Sequence, residues 1–275
     1  MFGNFLGRGK QLPPPPPEEP GLVPGCKLGE LLGRGRLGEV YAAVHLKAQR
    51  NVACKLLRAD LAQETIAQMR FRRQTQVQLK LKHANLVKVF ELGEATDGRA
   101  YLLMERVVGE TLQGKAPLPA AKVAQIIAAA AAALQAMHKD RHLHLDVKTE
   151  NFFCCEDGGF RLMGLSFCRG DMNAPTVTTS ANVVAGTPAY MAPEQAKGEP
   201  NARSDQYSLG VVACELLTGS LPVEGRCPPL TPEAATAVVQ RMLSPQFEKR
   251  FPSPEEAAKA LTEALSGKNR CDRMD

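Results

Sequence analysis

The sequence predicts an α+β protein of two lobes, a small antiparallel β-rich lobe followed by a larger helical one. Three observations predict it. Short strand-like runs broken by Gly and polar residues occupy 29–33, 39–44 and 51–57. Strand character then fades after Gly109, where 119–139 is an Ala-rich stretch of helix formers. The later long segments 204–218, 231–243 and 254–265 are helical as well.

Taken in order, residues 1–25 read as a Pro-rich tail. Positions 13–17 are all proline, which favours a stiff polyproline II rod serving as a spacer or a ligand for a proline-reading domain. Phe2, Phe5 and Leu6 form a short apolar cluster before it, either a frayed end or a docking point for a partner. The three strand runs follow. Residues 60–82 lack Gly and Pro and read as a helix, and 86–92 and 99–106 read as two further strands. The expected units are a small lobe over 26–108 and a large one over 109–275.

Composition excludes several classes. The chain is 44% hydrophobic and 23% charged, the range of globular proteins with ample core. Its net charge of +5 comes from Lys and Arg scattered along the chain, without the basic block of a nucleic-acid binder. The eight Cys fall at irregular spacings without a C-x-x-C signature, so metal binding is not expected and reduced thiols in the cytoplasm are. No run of 18 apolar residues suggests a membrane span, and the first ten residues lack a signal peptide's apolar core.

Chemistry begins at Gly33-Arg34-Gly35-Arg36-Leu37-Gly38-Glu39-Val40, a G-x-G-x-x-G-x-V pattern between two strands. Glycines there let backbone N–H groups close over phosphates, although a tight hairpin alone would also account for them. The next strand carries Val52-Ala53-Cys54-Lys55, placing a lysine beneath that hairpin. Further on come Asp146-Val147-Lys148-Thr149-Glu150-Asn151, then Gly186-Thr187-Pro188-Ala189-Tyr190-Met191-Ala192-Pro193-Glu194, then Asp205-Gln206-Tyr207-Ser208-Leu209-Gly210. In this order the motifs resemble the protein kinase family, specifically bacterial Ser/Thr kinases of eukaryotic type, over residues 26–266.

The resemblance implies a bilobal protein-kinase fold and a role for each matching position. Asp146 stands where the family's loop aspartate accepts the substrate hydroxyl proton, with Lys148 beside it and Asn151 as a metal ligand. Gly33, Gly35, Gly38, Val40, Ala53, Lys55, Met104, Glu105, Val107 and Phe153 match the positions that enclose a nucleotide. Glu194, Asp205 and Arg250 match structural positions, the first and last as an ion pair.

Other positions depart from the pattern. Gly164-Leu165-Ser166 stands 18 residues beyond Asp146, where the family has its metal-binding D-F-G, and a glycine has no side chain for Mg²⁺. Asp157 and Asp171 lie nearby, in loops on either side. Gln74 replaces the acid that pairs with the lysine, Glu64 being over two helical turns away. Gln78 replaces a spine hydrophobe, and Leu145 the arginine that grips a phosphorylated activation segment, where Thr176, Thr178, Thr179 and Ser180 offer hydroxyls. Phe153 is larger than the usual adenine-floor residue, either narrowing the pocket or packing in the core. Losing a metal that stabilises the transition state by several kcal/mol costs roughly a thousandfold or more in rate.

From these departures the sequence predicts a pseudokinase without enzymatic activity. It would be a scaffold or allosteric regulator of an active kinase, a phosphatase or another signalling enzyme. No metal or cofactor would be required, ATP binding without Mg²⁺ being possible. The alternatives are a weak or metal-independent Ser/Thr kinase using Lys55, Asp146 and Asn151, and an ATP sensor without turnover.

Overall fold

The computed structural model describes residues 21–163, 169–170 and 186–267. The first segment builds an antiparallel sheet of five strands, β1 (Cys26–Arg34), β2 (Gly38–His45), β3 (Arg50–Leu57), β4 (Val89–Glu94) and β5 (Ala100–Glu105), in the order β1-β2-β3-β5-β4. Alternation decides which side each residue serves. Cys54 and Leu56 of β3 enter one apolar layer with Val23, Tyr101 and Leu103, while Ala53 and Leu57 enter the opposite layer with Phe71, Leu102 and Met104. The second layer is closed by α1 (Thr65–Lys80), which packs on β4 and β5 through Ala67 and Phe71.

Three local expectations are corrected here. The helix foreseen over 60–82 starts at Thr65, because Ala59–Leu61 forms a separate 3-10 turn and the Gln68 amide takes the Ala62 carbonyl at 3.2 Å. The strand foreseen over 86–92 is displaced to β4. Leu86 and Val87 instead join the far side of the cleft, Val87 N–H donating to Leu162 O at 3.2 Å and Leu162 N–H to Asn85 O at 2.7 Å. Leu22 and Val23, placed in the tail by composition, belong to the folded body: Val23 is fully buried and Thr96 N–H donates to Leu22 O at 2.9 Å.

Beyond β5 lie β6 (Gly109–Thr111), α2 (Ala120–Lys139), β7 (His142–Leu143), β8 (Phe152–Cys155), β9 (Phe160–Leu162) and β10 (Arg169–Gly170). They form a three-stranded sheet in the order β6-β8-β9 and a two-stranded pair of β7 with β10. The helices α3 (Pro193–Ala196), α4 (Ala202–Thr218), α5 (Glu233–Met242) and α6 (Pro254–Leu265) complete the second half. By length and composition α2 would pass as a membrane span, with a mean hydropathy of 1.4. Its apolar residues, Val123, Ile126, Ile127, Ala130, Leu134 and Met137 among them, recur at helical spacing and are consumed in the core against α4 and α6.

The ends of α4 are sharply specified. Asn201 and Ser204 form a reciprocal capping box, and Gly219 closes the helix in the left-handed conformation at φ 78°. Eleven of its residues are buried, so α4 is the central post on which the surrounding segments hang.

Candidate active site

The loop from His144 to Asn151 is held by a buried carboxylate beneath it. Asp205, the fourth residue of α4, is fully buried; its Oδ2 accepts from His144 N–H at 2.9 Å and its Oδ1 from Leu145 N–H at 2.7 Å. The ring of His138 reaches the same Oδ2 at 2.8 Å. Burial pushes the Asp205 carboxyl up, but the hydrogen bonds from the His138 ring and the His144 backbone N–H help outweigh it and hold the group below its ordinary value. These bonds keep Leu145 at φ 63°, a left-handed conformation unusual for a leucine. Its carbonyl accepts from the Gln195 amide at 2.9 Å.

His144 is wholly buried, and burial pushes its imidazole toward the neutral form. Its Nδ1 accepts from Asp146 N–H at 3.2 Å, so the proton sits on Nε2, which donates to Met163 O at 3.2 Å. Asp146 is thereby aimed by its own backbone. Its Oδ1 accepts from the Thr187 hydroxyl at 2.8 Å. The Asn151 amide donates to Asp146 O at 2.7 Å and to Oδ2 at 3.2 Å, and Lys148 Nζ stands 3.9 Å from Oδ2 and 3.4 Å from Glu150 Oε2. One carboxylate oxygen is occupied and the other faces an ammonium and an amide, the arrangement of a positioned proton acceptor.

Thr187 belongs to a segment locked onto this loop. Gly186 sits at φ 121°, and a Cβ there would come within 2.8 Å of Leu145 O and 2.6 Å of the Gln195 amide nitrogen, so only glycine fits. Tyr190 donates to Glu215 Oε2 at 2.6 Å and meets the Thr149 hydroxyl at 3.1 Å. Glu194 receives both Arg250 nitrogens, at 2.6 and 2.9 Å, and the Ser204 hydroxyl at 2.7 Å. Burial raises the Glu194 carboxyl, but the Arg250 fork and Ser204 carry it below its ordinary value.

Four successive positions of α4 therefore grip three different segments. Arg203 O accepts from Arg250, Ser204 donates to Glu194, Asp205 holds the loop, and the Gln206 side chain bonds Phe251 N–H and C=O at 2.9 and 3.0 Å.

Across the cleft, Val40, Ala53, Met104 and Val107 fall in one apolar cluster with Leu37 and Met163. Lys55 lies on β3 opposite Val40. A Cβ on Gly38 would come within 3.2 Å of the Lys55 Cγ and 2.9 Å of Leu56 O, so the glycine hairpin rests directly on the lysine stem. Part of Lys55 stays open, yet the protein around its ammonium strips enough water to bring its pKa down to about 8. Glu105 is tied at the hinge, its Oε2 accepting from Lys88 N–H at 3.2 Å and its Oε1 lying 3.5 Å from Arg161 Nε. Gln74 and Gln78 sit one turn apart on α1, half-buried and buried, and Gln78 is not without a partner. Phe153 is half-buried on β8, whereas its neighbour Phe152 fills the helical core; the core-packing reading of Phe153 is corrected accordingly.

Gly164, Leu165, Ser166 and Asp171 lie outside the described residues, so their departure from the family pattern stands on sequence alone. Asp157 turns away into its own turn, accepting from Gly159 N–H at 2.8 Å. Among the described residues no group of three or more His, Cys, Asp or Glu could hold a metal. The amide of Asn151 is engaged by Asp146, to whose backbone and carboxylate oxygens it donates.

The chain matches the protein kinase domain model over residues 26–274. The chain belongs to the protein kinase family.

Bacterial serine/threonine-protein kinases are among the proteins it resembles. It is 38% identical over 217 residues to serine/threonine-protein kinase PknB of Mycobacterium leprae, covering 76% of this chain and 35% of that protein. It is 34% identical over 280 residues to PknB of Mycobacterium tuberculosis, covering 86% and 45%. The chain thus spans between a third and a half of the length of these relatives. Among solved structures it superposes on the PknI kinase domain of Mycobacterium tuberculosis with a TM-score of 0.70 at 27% identity, covering 87% of this chain and 96% of that one.

Membership of the protein kinase family overturns one expectation. The prediction of a chain that is no enzyme does not stand: its relatives are named serine/threonine-protein kinases, and nothing among the described residues marks inactivity. The family normally uses ATP with Mg²⁺, so the expectation that no cofactor is required has no support either. Sequence reasoning also missed Thr187, Gln195, His138 and Tyr190. Thr187 was visible inside the G-T-P-A-Y run, but nothing in the sequence names its partner 41 residues away.

Proposed function

We propose that the chain is a slow ATP-dependent serine/threonine protein kinase. The observation that supports it best is the Thr187–Asp146–Asn151–Lys148 constellation, in which a carboxylate is oriented from both sides, Oδ1 by Thr187 and Oδ2 by Asn151 with Lys148 nearby. In the proposed reaction the substrate hydroxyl oxygen bonds to the γ-phosphorus of ATP as the bond from that phosphorus to the β-bridging oxygen breaks. The hydroxyl proton passes to Asp146 Oδ2, and the leaving product is ADP. Lys148 lies where it stabilises charge gathering on the transferring group, and Lys55 lies beneath the glycine hairpin, where the phosphates of the nucleotide pass.

Slowness follows from position 164. A glycine in place of a metal-binding carboxylate removes a stabilisation of several kcal/mol, about a thousandfold in rate. The deciding experiment follows phosphate incorporation into a Ser/Thr-rich protein by mass spectrometry, with the wild-type chain beside Asp146→Asn. Incorporation by the wild type and its loss in the variant are expected. Equal incorporation by both, or none by either at long times and high enzyme, overturns the proposal.

A further inference from the structure

Helices α2 and α6 lie side by side in opposite directions, the start of α2 beside the end of α6, with an open and mainly apolar groove along their seam. Two adjoining hollows of about 350 Å³ each make up the groove, and they share Ala128 and Thr262. One begins at Ala121 and Ser266, the other ends at Ala132 and Glu255. On the α2 side Ala121 and Ala128 are exposed and Ala132 is half-buried, so only methyl groups stand between the groove and the helix backbone. That leaves room for an extended chain to lie in it.

The α6 wall carries three exposed charges spaced one turn apart. Counted back from the helix end they are Glu263, Lys259 and Glu255, and among the described residues no ion pair engages any of them. The helix ends at the mouth of this groove. Ser266 lines it, and Gly267 follows at φ 68°, a left-handed residue that stops the helix and turns the chain off its axis. Residues 268–275, which lie outside the described ones, continue as Lys268-Asn269-Arg270-Cys271-Asp272-Arg273-Met274-Asp275.

The charges of this segment complement the wall in order and in spacing. Extended at about 3.3 Å per residue, a chain leaving Gly267 reaches about 10, 17 and 20 Å at residues 270, 272 and 273. At about 1.5 Å per residue back along α6, positions 263, 259 and 255 lie about 6, 12 and 18 Å from the same point. Positive, negative and positive on the segment therefore meet negative, positive and negative on the wall, each pair offset lengthwise by no more than about 5 Å. Exposed ion pairs are individually weak, but a segment joined directly to its site binds at high effective concentration.

We infer that residues 268–275 dock in the α2–α6 groove of their own chain, running back against the direction of α6, with Arg270 toward Glu263, Asp272 toward Lys259 and Arg273 toward Glu255. The inference concerns a surface that the proposed phosphotransfer does not use and stands apart from it.

Disulfide trapping in the full chain tests it. Ala132→Cys sets a thiol in the groove at the level Cys271 would reach, and diamide, a two-electron oxidant that takes up both thiol hydrogens, joins the pair. Mass spectrometry quantifies the peptide linking 132 to 271. Reversing the wall with Glu255→Lys and Glu263→Lys slows linkage about threefold or more, and high salt slows it in the unreversed chain. Adding Arg270→Glu and Arg273→Glu to the reversed wall restores it. Ala128→Cys, on the open surface, repeats the measurement nearer the mouth, and melting curves verify that each variant is folded. Linkage at one rate in all charge variants, or no linkage in any, overturns the inference. So does a disulfide that joins two chains instead of closing within one.

Discussion

The hydroxyl of Thr187 donates to Asp146 Oδ1 at 2.8 Å, joining the end of one segment to the base of the catalytic loop across 41 residues of sequence. That bond holds one oxygen of Asp146 and, under the proposed reaction, leaves Oδ2 to the substrate hydroxyl. Removing it frees the carboxylate to rotate.

Thr187→Ala is therefore expected to lower kcat by about 10- to 100-fold, the scale of a lost proton-transfer geometry, with little change in the Kd for ATP. Thr187→Ser keeps the donor and stays within a few-fold of wild type. Steady-state kinetics with calorimetric ATP titration separates the two parameters. A Thr187→Ala variant with unchanged kcat contradicts the role.

Asp205 supports the same loop from inside the core. Asp205→Ala leaves two buried N–H groups, of His144 and Leu145, without acceptors, and each costs about 1–3 kcal/mol. Urea unfolding should show a loss of roughly 3–5 kcal/mol, with Asp205→Asn losing less because an amide oxygen still accepts one bond.

The paired Glu194 and Arg250 make a second test of buried charge. Arg250→Ala strands a carboxylate and is expected to destabilise the fold by about 3–5 kcal/mol. The pH dependence has a definite sign. Glu194 and Asp205 both have folded pKa values below their ordinary 4.5 and 3.8. The unfolded chain therefore binds protons first as pH falls. Their stabilisation is complete above about pH 5 and is lost as pH drops through the folded values. Melting temperatures from pH 7 to 3 should fall steeply in the wild type and less steeply in Arg250→Ala, where Glu194 has lost its partner.

Lys55 predicts a dependence of the opposite kind. With its pKa brought down to about 8, its charge is present below that value and disappears above it. At one unit above, only about a tenth of the molecules carry it. ATP affinity measured by calorimetry should fall by up to about tenfold between pH 7 and 9, and this fall should be absent in Lys55→Met. An affinity flat over that range would show that the ammonium takes no part.

Much of this was legible in the sequence because the decisive residues stand in short motifs. The glycine hairpin, Lys55, Asp146 with Asn151, and Asp205 each sit at fixed spacing from a neighbour that identifies them. The five-stranded sheet and the helices followed from periodicity. What was not legible depends on distance in the chain. Leu86 reads as strand locally but pairs with Leu162, and Thr187 gains its meaning from Asp146. The functional reading went astray for a different reason. Missing acids at 74 and 164 are conspicuous letter by letter, whereas the hydrogen bonds that orient Asp146 are invisible until the chain is folded.

The first turn of α4 has a consequence for how this sequence can change. Positions 203 to 206 each make a separate attachment, to three segments in all, and successive helical positions diverge by about 100°. Substitution at one of them disturbs one attachment. Deleting or inserting a single residue between Asn201 and Gln206 would instead turn all four out of phase together, detaching Glu194, the catalytic loop, Arg250 and Phe251 in one event. Length variation among relatives should therefore spare this turn and collect in the connections around it, such as the 220–230 loop.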